Sequence, residues 1–356
     1  MPRRYRVAVV GTGIGAAHVA GFVANPEKFE VAVVCGRDRG RAEAVAAMAP
    51  GAAVHLGFDD ALLARDDIDI IDICLPPDMH LGPVRRALAA GRHVICEKPL
   101  VASLAEVDAL EAAVIASGRV LMPIFQARFG NGMAQVKHVL ASGRAGRVHV
   151  ATCETHWYRG PDYYATPWRG KIAHELGGAF ITHAIHLHDM LTHLLGPVRS
   201  VSAVVSTRVN PIETEDTGGV VLEFASGALA TLSVSLGSPE PSSRLRIVAE
   251  NVTVTSGSAP GITASGPFHF AAEDRGWLDE LVAAAPQGKE GFAEQFRLFY
   301  DTLESRAKLP VTMAEARQSL ELATAIYHSS RTGQRVVLPL AKGHPAYGGW
   351  AGDLRR

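Results

Sequence analysis

The sequence predicts an α/β chain: a doubly wound parallel sheet first, then an α+β domain built on a large, open, mainly antiparallel sheet. Three observations support this. Short β-branched runs alternate with Ala-rich helical patterns through the first third of the chain. A glycine-rich turn directly follows the first of those runs. Beyond Gln126 the apolar residues recur with period two instead.

In chain order, residues 6–10, 30–35, 68–74 and 93–96 are nearly continuous apolar runs, as strands buried on both faces require. Residues 16–25, 39–48 and 81–90 between them have helix formers at helical spacing, and 120–125 reads as a further strand. This alternation implies right-handed crossovers. Next, 133–142 reads as a helix, and 147–158, 198–209, 218–224, 228–236 and 244–249 read as strands with one buried face. Residues 179–195, 292–306 and 314–330 read as helices, and 336–340 ends the regular structure. The expected domains are 1–125 and 126–340, followed by an extended tail over 341–356 rich in Gly and Pro.

A chain of 356 residues can bury a sizeable core in each of two domains. Lys plus Arg (35) nearly cancel Asp plus Glu (36), so a broad polyanion-binding surface and a nucleic-acid partner are not expected. No stretch approaches the ~20 apolar residues that a membrane span needs. The apolar run after Arg6 is too short for a secretory signal core. Cys35, Cys74, Cys96 and Cys153 lack paired metal-ligand spacing and read as small core residues, which fits a reducing cytoplasm.

The turn Gly11-Thr12-Gly13-Ile14-Gly15 follows the first strand and opens a helix. Glycine lets the backbone approach a pyrophosphate, and the helix N-terminus offers unpaired N–H groups and a positive dipole end. The second strand of such a unit normally ends at an acid that binds the ribose. Here that place holds Gly36, followed by Arg37 and Asp38. Arg37 suits adenine or a 2′-phosphate and Asp38 a displaced ribose contact, so NAD and NADP both remain open.

The stretch 87–100, ending Cys96-Glu97-Lys98-Pro99-Leu100, resembles the signature of the Gfo/Idh/MocA oxidoreductases, the glucose-fructose oxidoreductase and inositol dehydrogenase family. The resemblance extends to the opening turn with His18, to Leu75-Pro76-Pro77-Asp78-Met79-His80, to Trp168-Arg169-Gly170, to Gly177-Gly178 and to the His186…Asp189 pair. Any one of these is common, whereas their order and spacing are specific.

The resemblance implies a Rossmann domain followed by an α/β domain whose open sheet forms a homodimer or homotetramer. It implies Leu75, Pro76, His80, Glu97, Lys98, Trp168 and Arg169 as cofactor neighbours, Lys98 as the general acid/base, and a cis Lys98–Pro99 bond. It makes His186 the second catalytic position, with Asp189, Thr182 and His183 in support. A carboxylate often precedes that histidine by four residues in the family, and Thr182 stands there in this chain.

Tyr158, Arg159, Tyr163 and Lys171, with His183, His186 and Lys98, form the expected substrate set, because aromatic faces and polar tips suit polyol rings. His183 and His186 stand one turn apart, yet no third ligand with matching spacing accompanies them, so no metal is expected. The leading function is an NAD(P)-dependent dehydrogenase of a sugar, cyclitol or amino-sugar derivative. A glycosidase using NAD for transient oxidation and a non-catalytic NAD(P)-binding sensor follow in that order.

Overall fold

A computed structural model describes residues 3–259, 261 and 264–351. The chain divides into two compact units: the residues up to Gln126 together with Lys289–Ala316, and Ala127–Gly288 together with the residues from Arg317 onward.

In the first unit, β1 (Tyr5–Val10), β2 (Phe29–Gly36), β3 (Ala53–Leu56), β4 (Ile70–Ile73), β5 (His93–Cys96) and β6 (Leu121–Pro123) form a parallel sheet ordered β3-β2-β1-β4-β5-β6. Strand order reverses between β1 and β4, where doubly wound sheets bind ligands. Register fixes what stands there. Val10 pairs with Cys35 and with Ile73, and Ile73 pairs with Cys96. The following residues, Gly11, Gly36, Cys74 and Glu97, therefore line the carboxyl edge at one level.

The sequence reading did not place β3 or the helix Leu104–Ser117 of this unit, nor the short helical turns Asp60–Leu63 and Pro77–Met79. β3 is an edge strand of four residues with no apolar run and no fully buried side chain. The helix Leu104–Ser117 was legible from its start: Ser103 Oγ accepts from the Glu106 N–H, and the Glu106 carboxylate accepts from the Ala102 N–H.

The expected domain 126–340 is corrected by the helix Gly291–Leu303, which belongs to the first unit. Its aromatic face is the reason. Phe296 stacks on Phe22 with ring centroids 4.0 Å apart, and Phe299 and Tyr300 join a core with Tyr5 and Phe29.

The second unit holds β7 (Val148–Tyr158), β8 (Val198–Ser206), β9 (Thr217–Phe224), β10 (Leu229–Ser235), β11 (Gly237–Ala249), β12 (Thr253–Ser256), β13 (Phe268–Ala271) and β14 (Val336–Val337). They run β13-β12-β11-β7-β10-β9-β8-β14, antiparallel except for the parallel pair β10–β7. β10 alternates as period two demands: Ala230, Leu232 and Val234 are buried, while Leu229, Thr231 and Ser233 are exposed. The helix Ile185–Leu195 packs on β7.

The continuous helix expected over 179–195 is broken into Ala179–Thr182 and Ile185–Leu195. Thr182 Oγ1 donates back to the Gly178 carbonyl at 2.7 Å, and the break falls at the next residue, His183.

The extended tail expected over 341–356 is likewise corrected, because part of it packs into the second unit. Tyr347 and Trp350 are buried; the Trp350 ring stacks near Tyr327 at 6.0 Å, and its Nε1–H donates to the Leu176 carbonyl. The last five residues of the expected tail, 352–356, lie outside the described residues. Truncating a fully buried indole leaves a cavity and an unpaired carbonyl. Trp350→Ala should therefore destabilise the protein by about 3–5 kcal/mol in chemical denaturation. A change below about 1 kcal/mol would show that the tail does not belong to the core.

Candidate active site

In the first unit the glycine turn is fixed by close approach. Gly11 has φ +118°, and a Cβ there would stand 2.2 Å from the Cys74 carbonyl oxygen, so no other residue fits. Its N–H donates to the Cys35 carbonyl, binding the turn to the end of β2. The helix Gly15–Val23 then opens with no side-chain cap and no acid in its first turn. Space beside Gly13 is empty to 4 Å. An open cradle with uncapped N–H groups suits the pyrophosphate of a dinucleotide.

At the ribose position, a Cβ on residue 36 would stand 2.8 Å from Thr12 Cγ2, which explains why glycine replaces the usual acid. Arg37 is exposed beside it. Asp38 accepts the Arg41 N–H at 2.8 Å as the N-cap of the helix Arg39–Ala46, so its carboxylate already has a structural partner.

Behind this edge lies a cluster of charges sealed from water. His18, Asp72 and Glu97 are all buried. His18 Nδ1 lies 2.8 Å from Asp72 Oδ2, and its Nε2 lies 3.0 Å from Glu97 Oε1. The second oxygen of Glu97 accepts the Lys98 N–H at 3.0 Å. Burial works against a charged imidazole, but Asp72 and the Cys74 sulfur outweigh it and hold His18 well above its ordinary value. Both ring nitrogens then donate. Lys98 follows β5 at the carboxyl edge, half-buried, and the Lys98–Pro99 peptide is cis as the resemblance implied. His80 is also buried, its Nδ1 2.9 Å from the Pro99 carbonyl and its Nε2 2.8 Å from that of Leu75. It thus fastens the loop after β4, with Leu75 and Pro76, to the loop after β5.

The second unit gathers its own polar aromatic group. Thr182 Oγ1, donating to Gly178, accepts from His183 Nδ1 at 2.7 Å, and His183 Nε2 accepts the Arg159 Nε–H at 3.0 Å. The Arg159 guanidinium lies over Trp157 and Tyr163. Arg169 lies over Tyr163 and Trp168, hydrogen-bonds to the Tyr163 hydroxyl and pairs with Glu175 at 3.1 Å. Lys171 faces Glu213 at 3.9 Å, and Tyr158 is exposed.

Asp189 does not join this group. Its carboxylate is clamped by Arg128 through two bonds of 2.7 and 2.6 Å, with both side chains almost wholly buried. His186 is buried, and burial pushes its neighbour His188 down to about 3. Among the described residues, one set of three ligating side chains converges, and it is His18, Asp72 and Cys74 rather than His183 and His186.

Two regions match one family: residues 5–125 match the oxidoreductase family with an NAD-binding Rossmann fold, and residues 133–255 match the GFO/IDH/MocA C-terminal domain. The chain belongs to the Gfo/Idh/MocA oxidoreductases. It is 29% identical over 335 residues to D-xylose 1-dehydrogenase (NADP(+)) 2 of Haloferax volcanii, covering 93% of this chain and 98% of the relative. Identity to D-glucoside 3-dehydrogenase of Escherichia coli is 26% over 94% and 97% of the two chains. The WlbA dehydrogenase of Bordetella pertussis, solved with NADH and UDP-GlcNAcA, superposes with a TM-score of 0.83 at 28% identity over 95% of this chain and 99% of that one. Like its relatives, this family member is an NAD(P)-dependent oxidoreductase of the dehydrogenase type that acts on CH–OH groups.

One functional support went unread in the sequence. The fully buried carboxylate of Glu215 accepts from the Gly178 N–H (2.8 Å), the Phe180 N–H (3.0 Å) and the Tyr327 hydroxyl (3.0 Å), holding the turn from which the Thr182–His183 segment starts. Asp216 beside it accepts from the N–H groups of Arg208, Val209 and Asn210. The signal was an adjacent Glu-Asp pair just before a strand.

Burial pushes Glu215 from 4.5 up to about 7, with the Phe180 and Gly178 N–H groups pulling the other way. The folded state therefore holds this proton more tightly than the unfolded chain. The stability it contributes is complete below about 4.5 and is lost as pH rises through about 7. Relative to Glu215→Gln, the wild type should lose on the order of 2 kcal/mol of unfolding free energy between pH 5 and pH 8. Parallel pH profiles for the two proteins would contradict this.

Proposed function

We propose that the enzyme moves a hydride between nicotinamide and a secondary hydroxyl or ketone of a sugar, cyclitol or amino-sugar derivative, with Lys98 as general acid/base. The observation that carries this reading is the position of Lys98, two residues past β5 on the carboxyl edge that also holds the glycine turn. The relatives that act on D-xylose, a D-glucoside or bind UDP-GlcNAcA support the substrate class.

When bound, NAD or NADP supplies a two-electron hydride acceptor or donor. The chain supplies the rest. Gly11–Gly15 and the uncapped N-terminus of Gly15–Val23 would hold the phosphates, with Thr12, Leu75 and Pro76 beside them and Arg37 at the ribose end. Exposed Arg37 next to Gly36 leaves room for a 2′-phosphate, so NADP and NAD both fit. Oxidation of a carbinol releases one proton from its oxygen, and a deprotonated Lys98 Nζ takes it; reduction returns it. Glu97 orients Lys98 through the backbone bond already described.

In the second unit, His186 serves as the further proton-handling group. Tyr158, Arg159, Tyr163 and Lys171 receive the polyol, whose apolar ring face suits the aromatic rings there. Trp168 and Arg169 complete the cofactor contacts. Thr182 cannot act as a base at neutral pH. Its hydroxyl instead holds His183 in one tautomer, and Asp189 anchors its helix through Arg128. The open sheet face, which exposes Val204, Val221 and Leu229, serves self-association.

The test is turnover of oxidised NAD and NADP over a panel of aldoses, glycosides, inositols and amino sugars, read as absorbance of reduced nicotinamide. Lys98→Ala should cut kcat by about 10²–10⁴-fold, while NADH affinity by fluorescence changes by less than about threefold. Turnover retained within tenfold removes Lys98 from the chemistry.

A further inference from the structure

Three cations stand between Trp157 and Ile172, and the structure answers them differently. Arg169 is met by the carboxylate of Glu175 at 3.1 Å and Lys171 by that of Glu213 at 3.9 Å. Arg159 meets no acid: among the described residues no carboxylate comes within 4 Å of its guanidinium, and Asp162, exposed in the same hollow, makes no ion pair with it. A cation left in this way costs little when it waves in water. This one does not wave.

Arg159 is held at four points. Nε donates to His183 Nε2 at 3.0 Å, Nη1 donates to the Tyr158 carbonyl at 3.0 Å, and the guanidinium carbon lies 5.1 Å from the Trp157 ring centroid and 4.9 Å from that of Tyr163. None of these partners cancels its charge. Aromatic faces stabilise a cation without neutralising it. The imidazole gives its Nδ1–H to Thr182 and presents only a lone pair. Trp157 is itself fixed, its Nε1–H donating to Ser243 Oγ at 2.8 Å. A rigid planar fork with donors to spare faces a hollow of about 300 Å³ lined by residues 158–163. Such a fork matches the two oxygens of a carboxylate.

We propose that the substrate carries a carboxylate, as a uronate or a similarly acidic polyol derivative does, and that Arg159 receives it in this hollow. The proposal rests on the sugar-oxidoreductase reading above and narrows it. Neutral hydroxyls both donate and accept, and so call for donors and acceptors together. An unanswered guanidinium offers donors and charge alone, and so selects an anion.

The experiment compares kcat/KM for matched pairs, a neutral glycoside and its 6-carboxylate, using glucosides with glucuronides and galactosides with galacturonides, at low and high salt. The ratio within a pair cancels any general damage a substitution does. The wild type should favour the carboxylate member at least about tenfold, less so at high salt. Arg159→Met should bring the ratio to within about twofold of one. Arg159→Lys, which keeps the charge without the fork, should fall between.

A wild-type ratio of one or below, or an unchanged ratio in Arg159→Met, overturns the carboxylate while leaving the oxidoreductase reading intact. A sugar phosphate preferred over both members also overturns it. No turnover of any polyol with either nicotinamide overturns both.

Discussion

One imidazole without access to water ties together the parts of the first unit that matter for chemistry. His18 stands on the helix that opens at the glycine turn; Asp72 belongs to β4; Glu97 follows β5 and holds the backbone N–H of Lys98. Two carboxylates in a dry interior repel each other and lose their hydration, and only a cation between them makes the arrangement tenable. His18 is that cation. Removing one member of such a buried set leaves an uncompensated charge, a loss of about 3–5 kcal/mol in comparable cases. The geometry of the edge around Gly11 and Lys98 is therefore set by a buried group of charges, His18, Asp72 and Glu97.

The second unit follows the same principle with different residues. Glu215 grips the N–H groups of Gly178 and Phe180, Arg128 clamps Asp189 on the next helix, and Thr182 orients His183. Each is buried or half-buried, and each acts on backbone or on another side chain. What they leave facing outward is a small set of preset donors and rings: Arg159, Trp157, Tyr163 and Arg169. A sheet that buries one face and leaves the other open gives these loops a firm floor.

Much of this was readable in the residues. Continuous apolar runs located β1, β2, β4 and β5 to within a residue or two, because strands covered on both faces leave little choice of side chain. Glycine at 11 announced a close approach, and Glu97-Lys98-Pro99 announced the carboxyl edge, whereas the crowding of position 36 by Thr12 was not visible in the sequence. The reading failed where the deciding partner is distant in sequence. Asp72 in the middle of an apolar strand gains its meaning from His18, 54 residues earlier. Glu215 gains its meaning from Gly178 and Tyr327. The affiliation of the helix Gly291–Leu303 depends on Phe22. Asp189 looked like a proton-handling group because its spacing from His186 is visible, whereas Arg128, its partner, is not adjacent to either.

The charge on His18 can be observed directly. In protein labelled with ¹⁵N at its histidines, with the His18 signals assigned by their loss in His18→Gln, both ring nitrogens should show the shifts of protonated imidazolium at pH 8, well above where an ordinary histidine has lost its proton. A ring with one protonated and one bare nitrogen at that pH would contradict the account, because Asp72 and Glu97 could not then both accept from it.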